Sequence, residues 1–153
     1  MLLETAQAGL SWSTILKKRD GYRRAFDNFD YQRVADYDKG KIQLLLEDAS
    51  IIRNRLKIQS AVKNAIAFKI VQKEFRTFDS YLWSFVGGKP IQNHWKTWTE
   101  VPSKTKISDE LSTDLKKRGF TFVGSTICYS MMQAVGMVND HTICCFRYKE
   151  LSS

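Results

Sequence analysis

Apolar residues recur at three- and four-residue spacing along most of the chain, and polar turn residues interrupt that rhythm. The longest helical stretch runs from Ile52 to Phe75. Ile58, Ala61, Val62, Ala65, Ile66 and Ile70 are expected on its buried face, with Arg53, Arg55, Lys57, Lys63, Lys69 and Lys73 as solvated cations. Residues 1–9 (MLLETAQAG) already read as helix, with no capping residue before them. Ser11 and Ser13 are candidate caps for a second helix, STILKKRDGYRRAF, followed by the turn-like DNFD. Residues 39–48 form a shorter helix. Residues 78–86 (FDSYLWSFV) fit strand or helix, and their isolation among helices favours a short buried helix. Residues 87–106 hold Pro90 and Pro102 and read as a long loop. The pattern predicts an all-α chain, a single-domain helical bundle over residues 1–153 with no internal repeat.

One stretch organises the rest, a helix–turn–helix pair over about residues 107–136. The run ISDELSTDLKKR ends in Lys116, Lys117 and Arg118, then Gly119. Ser108 is the expected cap, with Asp109 and Glu110 in the first turn where the dipole favours them. Gly119 suits a helix stop because glycine takes positive φ without a Cβ clash. After FTFVG, Gly124 lets backbone approach a partner where a second helix opens at Ser125, and free N–H groups there offer an anion site. Ile127, Met131, Ala134 and Val135 form its expected apolar stripe, closed by Gly136. Such a unit can grip a DNA backbone without reading sequence. A plain αα-hairpin with a solvated cationic end satisfies the same spacing.

Charge shifts the balance toward an anionic partner, since Lys and Arg exceed Asp and Glu to give a formal charge of +8. A hydrophobic share of 43% with 26% charged residues excludes a disordered chain. Three cysteines, two of them adjacent at Cys144 and Cys145, make no disulfide framework and suit a reducing cytosol. No secretory signal is visible at Met1-Leu2-Leu3-Glu4. The uncharged run from Gly119 to Asn139 is long enough for a membrane span, but its glycines and polar residues fit a buried hairpin.

Candidate chemistry is sparse. Glu4 precedes Trp12 in ETAQAGLSW, and a carboxylate near an aromatic face suits a flat cationic ligand; an ordinary first-turn glutamate fits equally. His141 and Cys145 would share a helical face at a spacing seen in zinc sites, although two ligands are half a site and a capping histidine with a buried thiol fits at least as well. The loop segment HWKTW interleaves Trp95 and Trp98 with cations, which suits nucleic acid or a loop packed down by its tryptophans. His94 reads as a surface residue; Asn139 with Asp140 read as caps of the last helix, while a carboxylate at Asp140, just beyond the hairpin, could also face a DNA-bound sugar. No phosphate-binding loop, Ser-His-Asp arrangement or paired-histidine metal motif is present.

QAGLSWSTILKKR (7–19), IIRNRLKI (51–58) and LKKRGFTFVGSTICYSMMQAVGMVNDH (115–141) together resemble the DNA-3-methyladenine glycosylase I family of the helix-hairpin-helix superfamily. The resemblance runs from Leu2 to about Cys145. It implies a monofunctional base-excision repair enzyme acting on double-stranded alkylated DNA by base flipping. Glu4 matches the family's base-contacting, catalytic carboxylate and Trp12 its stacking aromatic. Lys116, Lys117, Arg118, Gly119, Phe122, Gly124 and Ser125 are then the DNA-facing set. His141 and Cys145 match two of four structural zinc ligands. The family carries the other two, a cysteine and a histidine, with pocket aromatics in a segment ahead of the Glu4 position. Relative to that pattern this chain is N-terminally incomplete. No catalytic cofactor is implied, and a monomer in the bacterial cytoplasm, at the nucleoid through DNA, is expected.

Overall fold

The computed structural model describes residues 1–151. The helices are α1 (Leu2–Gln7), α2 (Trp12–Ala25), α3 (Tyr31–Ala35), α4 (Lys39–Glu47), α5 (Arg55–Phe75), α6 (Phe78–Ser84), α7 (Lys106–Lys117), α8 (Ser125–Ala134) and α9 (Phe146–Glu150). The fold is all-α. Its one departure is a two-residue parallel pairing of β1 (Ile91–Gln92) with β2 (Val138–Asn139), which fastens the long loop beside the end of α8. No helix among the described residues is long and apolar enough to cross a membrane.

Two buried clusters hold the chain together, and α5 serves both. Its first half contributes Ile58, Ala61 and Ala65 to a cluster with Ile15, Tyr22, Phe26, Val34 and Leu45. Its second half contributes Ala67 and Val71 to a cluster built from α6, α7 and α8 around Leu111, Leu115, Tyr129 and Met132. Meeting two cores rotates the buried face. Ala61, Asn64 and Ala67 turn inward, while Ile66 and Ile70, expected to be buried, stand 46% and 54% exposed. The helix also starts later than Ile52, because the Asn54 side chain accepts from the Lys57 amide and fixes the first turn.

Ser11 caps α2 as expected, accepting from the Thr14 amide. In α7 the cap is Thr105, with its backbone extended, and Ser108 takes the N3 place. Thr105 Oγ1 accepts from the Ser108 amide while Ser108 Oγ accepts from the Thr105 amide, a reciprocal capping box. In α8 the buried residues are Cys128, Tyr129, Met131 and Met132, and Val135 is 48% exposed. The stripe differs from the expected one because the chain turns at Gly136 (φ +79°) and sends Met137 and Val138 into the core instead.

The connection between α7 and α8 is tightly specified. Gly119 takes φ +92°, its N–H donates to Lys116 O, and the Phe120 N–H donates to Leu115 O. That is a Schellman ending, with Phe120 and Leu115 buried in the same cluster. Phe120 and Val123 plug into the core on either side, leaving Phe122 outward, 37% exposed and at φ +55°.

Candidate functional site

Glu4 lies on α1, with only 8% of its surface exposed. No donor among the described residues hydrogen-bonds its carboxylate. Burial lifts its pKa above the ordinary value, partly offset by the Met1 ammonium. Trp12 begins α2 after the Gly9 turn (φ +75°) and is 39% exposed. Lys57, expected as a solvated cation, holds this turn instead: its Nζ donates to Ala6 O at 2.9 Å and Ala8 O at 2.6 Å. The ammonium satisfies carbonyls at the negative end of α1, so Glu4 and Trp12 are fixed relative to α5.

Two cavities meet at Glu4 and Trp12. One, of about 590 Å³, lies between α1, the strand β1 and the end of α8, with Gln92, Ser130, Gln133 and Asp140 on its walls. The other, of about 500 Å³, is mostly apolar and is closed by Leu2, Phe29, Tyr31, Val34 and Phe68. A buried carboxylate with its oxygens unclaimed and an aromatic face beside it can take a flat ligand that brings its own N–H donors or positive charge.

At Asp140 the favoured sequence reading, a helix cap, does not hold. The last helix begins at Phe146 with Cys145 as its cap, so neither Asn139 nor Asp140 caps it. Asp140 instead accepts from Asn93 Nδ2 at 2.7 Å, Trp95 Nε1 at 2.8 Å and Gln133 Nε2 at 2.7 Å. Burial opposes its charge, but Trp95, Tyr129, Gln133 and Asn93 outweigh burial and hold the pKa below the usual carboxylate range. The Tyr129 hydroxyl faces this carboxylate short of hydrogen-bond geometry; it is the one fully buried side-chain polar atom left without a partner among the described residues. The indole of Trp95 in HWKTW was the available signal. Trp95 is thereby pinned down, whereas Trp98 is 80% exposed.

His141 and Cys145 sit in a turn rather than on a helix, yet Cys145 Sγ lies 3.5 Å from His141 Nδ1. A structural zinc site takes four ligands, and no group of three or more metal-binding side chains occurs among the described residues. The pair alone does not complete such a site. His94 meets the hydroxyl of Tyr148.

Lys116, Lys117, Gly119 and Phe122 stand exposed along one end of the hairpin, with Gly124 and Ser125 partly exposed. Gly124 caps α8 with no side-chain acceptor for the first amides, and a Cβ there would meet nothing within 4 Å. Arg118 is placed otherwise. Its guanidinium donates to Asp114 and Glu74 at 2.6 Å each and lies over the rings of Phe75 and Tyr81. Burial opposes the charge of Asp114, but hydrogen bonds from Arg118 and Tyr81 hold its pKa below 3.8. That depressed value gives stability fully present above the unfolded pKa and lost as pH falls through the folded one. Urea midpoints are therefore expected to drop below about pH 4, with a shallower acid limb in Asp114→Asn. An unchanged limb in the variant would remove Asp114 from that account.

Residues 1–148 match the methyladenine glycosylase family. The chain is 49% identical over 146 residues to DNA-3-methyladenine glycosylase 1 of Escherichia coli K12, covering 95% of this chain and 78% of that protein. It is 46% identical over 139 residues to the DNA-3-methyladenine glycosylase of Haemophilus influenzae, covering 91% of this chain and 75% of that protein. A solved 3-methyladenine DNA glycosylase I superposes with TM-score 0.91 at 47% identity, over 95% of this chain and 80% of that one. A variant of such an enzyme in complex with 3-methyladenine superposes with TM-score 0.92 at 32% identity, over 95% and 78% of the two chains. With the family match running from α1 into α9 and a solved relative superposing over 95% of the chain, the chain belongs to the methyladenine glycosylase family.

Proposed function

We propose that this protein hydrolyses the N-glycosidic bond of 3-methyladenine in alkylated double-stranded DNA, as a base-excision repair glycosylase without a lyase step. The observation that carries the reading is Glu4, a buried carboxylate that no donor among the described residues takes up, beside Trp12 at the junction of two cavities. A relative of the same fold holds 3-methyladenine.

The damaged nucleotide leaves the stack, because its base cannot reach such a cavity from within a duplex. A 3-methylated adenine in DNA is cationic and a good leaving group. Glu4 accepts hydrogen bonds from the ring and opposes its charge, and Trp12 stacks on it; both contacts strengthen as water is excluded. The bond between C1′ and the base nitrogen breaks with its electron pair passing to the base, which departs neutral. Water adds to C1′ and gives a proton to solvent. No covalent intermediate with lysine forms.

The α7–α8 pair acts as a helix-hairpin-helix unit, with Lys116, Lys117, Gly119, Phe122, Gly124 and Ser125 on the DNA backbone. Arg118, engaged by Glu74 and Asp114, supports the hairpin from behind. Residues 1–153 work as one domain and one monomer, in the bacterial cytoplasm at the nucleoid. Were zinc to bind, His141 and Cys145 would be its ligands in this chain, in a structural role with no part in the reaction.

The test is chromatographic detection of free 3-methyladenine after incubation with alkylated duplex, with the strand checked for breaks. Base release without strand cleavage is expected. Folded protein that binds duplex and releases no base would overturn the proposal.

A further inference from the structure

One side chain joins the apolar cavity beside Glu4 to the tip of the hairpin. Asn64 lies on α5, is 7% exposed and lines that cavity. Its amide is nevertheless taken up by a peptide unit 57 positions away in sequence. Asn64 Nδ2 donates to Thr121 O at 3.0 Å, and Asn64 Oδ1 accepts from the Thr121 amide at 2.8 Å. A single primary amide thus pairs with both the N–H and the C=O of one residue, which fixes the direction and distance of that backbone. A second contact secures the next turn, where Ser112 Oγ donates to Val123 O at 2.6 Å.

Between these two points stands Phe122, a non-glycine residue at φ +55°. A bulky side chain in that region is strained and persists only when its surroundings hold it there. Thr121 is clamped before it and Val123 is buried after it, so the strain has nowhere to relax.

We infer that Asn64 is a positioning residue that sets the hairpin on α5 in the geometry needed to grip DNA, at a fixed offset from the base cavity. This rests on the DNA-binding reading of the hairpin. On this account Asn64 acts through the backbone it holds, where the Oδ1 and one N–H of its amide are engaged. Its effect passes through the peptide of Thr121 to Phe122 and the start of α8.

The experiment compares Asn64→Ala and Asn64→Asp with Thr121→Ala in the full chain, well below each melting temperature. Asn64→Asp keeps an acceptor for the Thr121 amide but sets an oxygen against Thr121 O. Thr121→Ala removes only the long contact from Thr121 Oγ1 to Asn64 Oδ1, at 3.4 Å, and leaves both backbone bonds in place. Hydrogen exchange at the Thr121 amide is expected to accelerate at least about fivefold in both Asn64 variants, the scale of one lost hydrogen bond. Their dissociation constants for undamaged duplex should rise by about the same factor, with excision at saturating protein within about twofold of the parent. Thr121→Ala should match the parent in all three.

Unchanged exchange in Asn64→Ala would overturn the clamp whatever the protein does with DNA. Faster exchange with unchanged duplex affinity would overturn the positioning role. A lower saturated rate at unchanged affinity would do the same, and would move Asn64 into the base pocket. A parent chain that binds no duplex would instead sink the DNA-binding reading, with exchange still deciding the clamp.

Discussion

Glu4→Gln is expected to lower the rate of 3-methyladenine release by on the order of a hundred- to a thousandfold, the range for removing one preorganised group that stabilises the transition state. Binding of undamaged duplex should stay within about twofold of the parent, because Glu4 is buried and is not one of the exposed residues at the hairpin tip. The substitution keeps size and shape while replacing a carboxylate by an amide that carries donors of its own. Since no donor among the described residues hydrogen-bonds Glu4 and burial raises its pKa, removing the charge costs the fold little and should slightly stabilise it. Loss of activity with equal or higher melting temperature would therefore be the signature of a ligand-directed carboxylate. Single-turnover base release, duplex binding and thermal melting together make the check. A variant that excises normally would remove Glu4 from the reaction.

Gly124→Asp is expected to act in the opposite place, weakening duplex binding on the order of a hundredfold at low salt, about 2.7 kcal/mol. Gly124 is the N-cap of α8, with ordinary φ (−62°) and open space where a Cβ would go. Aspartate is a favoured N-cap, so the variant should fold as well as the parent. The same carboxylate would then occupy the amides and the positive dipole end that a DNA phosphate needs, and would repel that phosphate. Titration of a fluorescent duplex at several salt concentrations provides the measurement. Retained affinity would show that the start of α8 does not face the DNA.

Helices α1, α2 and α4 follow the apolar rhythm and turn residues closely, because their boundaries rest on local chemistry. Ser11 caps α2 through the Thr14 amide, and Gly119 ends α7 in the left-handed region, both short-range effects. Glu4 and Trp12 were legible from motif, and the fold brings them to one place. Asp140 was not. Its partners Asn93, Trp95 and Gln133 come from a loop and a helix that meet only when β1 pairs with β2, so neighbouring sequence gave it the look of a cap.

The cations divide in the same way. Lys116, Lys117 and Arg118 are indistinguishable in sequence, yet Arg118 turns back onto Asp114, Glu74 and two aromatic rings while its neighbours face solvent. Lys57 reads as one more solvated cation and is spent on two carbonyls of α1. What the sequence by itself determined was the helical class and the hairpin with its glycine stop, set by spacing, capping and backbone freedom within a few positions; the motif residues came from the family resemblance. Which polar groups are engaged and which stand free was decided by tertiary structure alone. A charged or amide side chain takes its role from partners tens of residues away, and only packing brings those partners within hydrogen-bond reach.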